Sequence, residues 1–146
     1  MGCFNQKIIT RNEDETKRVA REFASRLKPG GVVALYGGIG AGKTTFFKGV
    51  AEYFGIGEIT SPTFTLLCEY DANPPLYHFD AYRINAAEWE SLGFDDYLYG
   101  DGICFIEWAE NVRMILSRTL FHVEQLHQIE LRRGGSDDER IITING

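Results

Sequence analysis

Cysteine is scarce and scattered. Cys3, Cys68 and Cys104 lie far apart and match no CxxC or Cys/His ligand spacing. This argues against a disulfide framework or a zinc-type site. The thiols read as reduced, with Cys68 and Cys104 acting as small hydrophobes in apolar stretches. His78, His122 and His127 form no HExxH motif, and His78, inside an apolar strand-like run, reads as a satisfied half-buried side chain. No apolar run approaches the roughly 20 residues of a membrane span. The start, Met1 to Gln6, lacks a basic region followed by an apolar one, and has Gln6 where a myristoylation signal needs Ser or Thr. A cytoplasmic location is expected, with no membrane partner. Cations are in deficit, with 15 Lys and Arg against 21 Asp and Glu and a formal net charge of -6. Such a chain grips phosphate backbones poorly. DNA is not expected as a ligand, and any RNA should be held by a partner protein.

The chain has 146 residues, 44% hydrophobic and 25% charged, which suits one globular domain with its own core. Phe4 to Thr10 reads as a strand. Asp14 to Leu27 reads as a helix whose Val19, Ala20, Phe23, Ala24 and Leu27 share a face, ended by Pro29-Gly30-Gly31. The apolar run Val32 to Tyr36 suits a strand buried on both faces, and Lys43 to Phe54 reads as the next helix. Residues 56–65 read as a loop. Thr65 to Tyr70 and Pro75 to Asp80 read as strands joined through Asp71-Ala72-Asn73-Pro74. Asn85 with Glu88 has capping-box form before a short helix to Leu92. Ile103 to Ile106 is another buried-strand run. Gln125 to Leu131 and Arg140 to Asn145 alternate, as a terminal antiparallel hairpin would. The expected fold is α/β, with three layers: a mixed, mostly parallel sheet flanked by helices, carrying antiparallel edge strands.

The segment Gly37-Gly38-Ile39-Gly40-Ala41-Gly42-Lys43-Thr44 matches the Walker A pattern in full. Glycines let backbone N–H groups approach phosphate oxygens, and the helix that follows aims its positive dipole end at the anion. Gly38, Ile39, Gly40, Ala41, Gly42, Lys43, Thr44 and Thr45 are therefore the expected nucleotide contacts. Lys43 is expected on the β- and γ-phosphates and the Thr44 hydroxyl on Mg²⁺. Asp80 and Glu107 each end an apolar strand-like run, at the strand ends where open α/β sheets bind ligands. One could hold the metal and the other orient the attacking water.

The guanine motif N-K-x-D and the switch motif D-x-x-G are both missing, which favours ATP over GTP. A small kinase is a second reading, although its usual Arg-rich lid would have to come from the scattered Arg113, Arg118, Arg132 and Arg133. A third is a nucleotide-gated binding module without catalysis, in which ATP orders residues 56–65 for a partner.

The loop from Gly37, Ser61-Pro62-Thr63-Phe64-Thr65, Tyr77-His78-Phe79-Asp80-Ala81-Tyr82-Arg83 and Glu107-Trp108 occur in one order. This set resembles the TsaE (formerly YjeE) family of bacterial P-loop ATPases, from the first helix to Trp108 and more weakly in the hairpin. The resemblance implies binding and hydrolysis of ATP with Mg²⁺. It implies partnership with a TsaD–TsaB pair in forming N6-threonylcarbamoyladenosine at position 37 of tRNA, with feeble ATPase activity alone. It further implies that Thr63 lies in a switch-like loop, that Asp80 is a Walker-B-like acid, that Glu107 is a Mg²⁺ ligand and that Trp108 is an essential tryptophan. Lys43, Thr63, Asp80, Glu107 and Trp108 are thus the candidate catalytic residues, with Thr44, Glu107 and Asp80 at the metal. Gly38-Ile39 departs from the family's usual Asp-Leu, a change that a backbone cradle tolerates. Thr10-Arg11-Asn12 is expected near the adenine, with no contact fixed.

Overall fold

The computed structural model describes residues 5–60, 65–119 and 125–146. In chain order it contains β1 (Asn5–Thr10), α1 (Glu13–Ala24), β2 (Val32–Tyr36), α2 (Lys43–Tyr53), β3 (Leu67–Tyr70), β4 (Leu76–Asp80), α3 (Ala86–Ser91) and α4 (Asp95–Leu98). There follow β5 (Ile103–Glu107), a 3-10 turn (Ala109–Val112), α5 (Arg113–Thr119), β6 (Leu126–Arg133) and β7 (Arg140–Asn145). The strands form one sheet in the order β1-β7-β6-β2-β5-β4-β3. The central pairings β6–β2, β2–β5 and β5–β4 are parallel, and antiparallel pairings close both edges. The mixed sheet with antiparallel edges is the one expected from sequence.

The two faces of the sheet follow from period-two alternation in the central strands. Val33, Leu35, Ile103 and Phe105 pack beneath α1 and α2 with Phe23, Phe46 and Phe47. Val32, Ala34, Cys104 and Ile106 join the opposite cluster with Phe79, Trp89 and Ile115. Cys104 is fully buried, and burial pushes its thiol up to about 12, as suits a small hydrophobe.

Local chemistry sets the helix ends. Asn12 Oδ1 accepts the Glu15 N–H at 2.9 Å, and the acidic first turn of α1 complements the helix dipole. The helix stops at Ala24, short of the expected Leu27, because Arg26 and Leu27 bond back to Phe23 and Ala24 in tightened turns. The Asn85–Glu88 capping box is present. The helical segment from Ala109 to Thr119 escaped the sequence reading. It has an apolar row at Ala109, Val112, Ile115 and Leu116, but it begins straight after a strand, with Trp108 rather than a polar cap.

Helices α1 and α2 meet closely at Gly49. A Cβ there would lie 2.7 Å from both the Ala20 Cβ and the Lys17 carbonyl oxygen. Helix propensity favours alanine over glycine by about 1 kcal/mol, but crowding against backbone costs about 1–3 kcal/mol, so sterics should win. Gly49→Ala is expected to lower stability by about 1 kcal/mol or more in urea unfolding. A midpoint at or above that of the unmodified chain would show that the helices can separate freely.

Candidate nucleotide-binding site

The parallel register brings three strand ends together. Leu35 on β2 pairs with Glu107 on β5, and Glu107 pairs with Asp80 on β4. The glycine-rich loop leaves β2 at this edge and enters α2. Gly42, at φ +105°, is the helix N-cap, and its carbonyl accepts the Phe46 N–H at 2.9 Å. Gly37 has φ +149°, and a Cβ on it would stand 2.7 Å from the Leu131 carbonyl oxygen. Glycine is therefore required there both for conformation and for the close approach of β6. Ile39, at the loop tip, is 82% exposed.

Lys43 is only 6% exposed. Its Nζ donates to the Gly37 carbonyl at 2.7 Å and sits 4.0 Å from the centre of the Trp108 ring. Burial lowers its ammonium below the ordinary lysine value, against the opposing pull of Glu107, Glu110 and Asp80. A desolvated cation held by a carbonyl and an indole face has capacity left for an anion. Trp108 adopts a left-handed backbone conformation, φ +57°, which is uncommon for a bulky residue. Its ring contacts Tyr82 at 4.8 Å. It is half-buried and also packs against the core cluster that includes Ile106 and Ala109.

Glu107 has a side chain 12% exposed, with Oε2 2.7 Å from His78 Nε2. Burial alone would raise its carboxyl; the His78 contact, the His78 charge and the Lys43 ammonium outweigh this and hold it below the ordinary range. His78 is 2% exposed and stacks on Phe47 of α2 at 4.1 Å. The sequence suggested a half-buried histidine of no special role, but the structure sets it against the central acid. Asp80 Oδ1 accepts the Tyr82 N–H at 2.9 Å, which fixes that carboxylate at the strand end.

Lys43, Thr44, Thr45, Asp80, Glu107 and Trp108 line one cleft with Ile39 to Gly42. Gly38 borders the adjoining cleft on the outer side of the loop. Thr63 lies outside the described residues. Glu13 and Arg140 also line the main cleft, and Asn12 lines its continuation with Thr45 and Arg140. Arg140 was missed because it comes from a distant hairpin with no local motif. The described residues hold no cluster of three or more His, Cys, Asp or Glu suited to a metal. The oxygens of Thr44, Asp80 and Glu107 suit a hard cation that takes the rest of its shell from phosphate and water.

A carboxylate with a lowered folded value contributes stability above its unfolded value, and that contribution is lost as pH falls through the folded one. For Glu107 the unfolded reference is 4.5. In chelator and without nucleotide, Glu107→Gln should therefore flatten the fall in melting temperature from about pH 5 to 3. An unchanged slope would contradict the His78–Glu107 coupling.

Known proteins resemble this chain over most of its length. The family model described as Threonylcarbamoyl adenosine biosynthesis protein TsaE matches residues 10–142. The tRNA threonylcarbamoyladenosine biosynthesis protein TsaE of Bacillus subtilis is 49% identical over 140 residues, covering 94% of this chain and 84% of that protein. The protein of the same name from Treponema pallidum is 44% identical over 108 residues, covering 73% and 80%. A crystal structure of B. subtilis YdiB superposes with a TM-score of 0.78 at 40% identity, covering all of this chain and 88% of that one. The described residues include no helix long and apolar enough to cross a membrane. With the loop, the two strand-end acids and the tryptophan in one cleft, the chain belongs to the TsaE family of threonylcarbamoyladenosine biosynthesis proteins.

Proposed function

We propose that this chain binds and hydrolyses ATP with Mg²⁺ in the cleft at the C-terminal edge of the sheet. It acts with a TsaD–TsaB pair in forming N6-threonylcarbamoyladenosine on tRNA in the cytoplasm. The observation that carries the reading is the buried Lys43 ammonium, held against the Gly37 carbonyl and the Trp108 ring beside two strand-end carboxylates.

Each residue has a task in that chemistry. The loop backbone and the start of α2 cradle phosphate oxygens. Lys43 neutralises charge on the β- and γ-phosphates from a dry position, where a charge acts more strongly than in water. The Thr44 hydroxyl and Glu107 would hold Mg²⁺, which would supply charge neutralisation at the transferring phosphoryl group. His78 fixes the orientation of Glu107, as outer partners of metal ligands do. Asp80 orients the attacking water. The net charge of -6 leaves tRNA to the partners, and the absent guanine motif favours ATP.

A reconstitution tests this. Formation of threonylcarbamoyladenosine over many turnovers should require this protein with ATP, and Lys43→Ala should weaken ATP binding in calorimetry by roughly a hundredfold. Wild-type affinity in that variant would overturn the loop assignment. Equal turnover with Glu107→Ala would overturn the catalytic one.

A further inference from the structure

Two turns follow the acid-bearing strand ends, and one asparagine joins them. After Asp80 the chain turns through Ala81, Tyr82 and Arg83; after Glu107 it turns through Trp108 into the 3-10 segment Ala109–Val112. The ladder between β4 and β5 extends one step past the strands, where the Ala81 N–H donates to the Glu107 carbonyl at 3.0 Å. Beyond that step a side chain takes over. Asn111 Nδ2 donates to the Ala81 carbonyl at 2.9 Å and to the Tyr82 carbonyl at 3.1 Å. Both partners are acceptors, so only the amide nitrogen of an asparagine fits between them.

These contacts form a closed ring. The Asn111 N–H donates to the Trp108 carbonyl at 3.0 Å, its side chain holds the Tyr82 carbonyl, and the Tyr82 and Trp108 rings meet at 4.8 Å. Two groups of the cleft hang from this ring. The Tyr82 N–H donates to Asp80 Oδ1, and the Trp108 ring covers Lys43 Nζ. Tyr82 is 52% exposed, so its backbone bonds, rather than burial, hold it over Trp108. The left-handed backbone of Trp108 persists only where its surroundings over-determine it. Ala109 and Val112 anchor the 3-10 segment in the core, and Asn111 ties its other side to the β4 turn. Asn111 lines neither cleft beside the phosphate loop.

Resting on the nucleotide reading above, we infer that Asn111 is a positioning residue for ATP hydrolysis: its amide holds the Tyr82 turn, and through it the Asp80 carboxylate and the Trp108 ring over Lys43. The phosphate cradle from Gly38 to Thr45 belongs to a different pair of elements, β2 and α2. Asn111 therefore serves the chemical step and leaves the hold on the diphosphate to the loop. Small displacements of groups that orient a reaction cost rate even when the ligand stays bound.

Two variants of the full chain test this, by phosphate release from saturating ATP with the TsaD–TsaB pair present and by calorimetry with ADP. Asn111→Ala removes the donor; Asn111→Asp keeps the shape but sets a carboxylate against two carbonyls. Both should lower kcat by about tenfold or more, the aspartate variant at least as much as the alanine one. ADP affinity should stay within about threefold of wild type. Acrylamide should quench Trp108 fluorescence more strongly in both, over a constant background from the fully buried Trp89. Melting curves show whether each variant is folded, and the alanine variant decides if the aspartate one is not. Wild-type kcat in a folded variant overturns the proposal. So does a matching loss of kcat and ADP affinity, which would mark a general disturbance of the fold, and so does unchanged quenching of Trp108. Failure of the unmodified chain to bind ADP or to release phosphate would instead overturn the reading on which the proposal rests.

Discussion

Parallel pairing of β2, β5 and β4 sets the strand ends level, with Leu35 beside Glu107 and Glu107 beside Asp80. Because side chains alternate along a strand, a slip of one residue would turn these acids to the other face. Helix α2 can start where it does only because the loop leaves β2 at this edge. The buried row Val33–Leu35, packed under α1 and α2, holds the register. The cost of misplacing that row is far larger than any single contact in the cleft, so the core and the site are fixed by the same pairing.

Within that frame the cleft is electrostatically unsettled. Lys43 is desolvated, yet its closest partners are a carbonyl and an aromatic face. Glu107 is desolvated too, and is kept ionised by His78 and Lys43. Trp108 takes a left-handed backbone conformation in order to cover the lysine. Folding alone gives little reason to gather these features, and such local strain is common where a ligand completes the balance.

Much of this was legible from residues in a line. The glycine loop between an apolar strand and a helix, the Asn85–Glu88 capping box and the terminal hairpin each depend on neighbours a few residues apart. The helical segment after Trp108 was harder, since its entry lacks the polar cap by which helix starts are recognised. His78 looked ordinary because nothing in β4 reveals that Phe47 stacks on it or that Glu107 lies 2.7 Å away. Arg140 looked like one more charge in a hairpin strand, although it reaches the Gly40 carbonyl a hundred positions back.

The phosphate loop, the two acids that end apolar strands, the α/β class and the likeness to TsaE are all readable from the order of residues. All of these rest on short-range spacing, which the chain carries whatever its long-range partners. That Glu107 and Asp80 are neighbours, that His78 grips the first of them, that Trp108 covers Lys43 and that Arg140 reaches the Gly40 carbonyl from the far hairpin emerges once the chain is folded. These depend on register and strand order across the sheet, and contacts between distant segments leave no local periodicity to read.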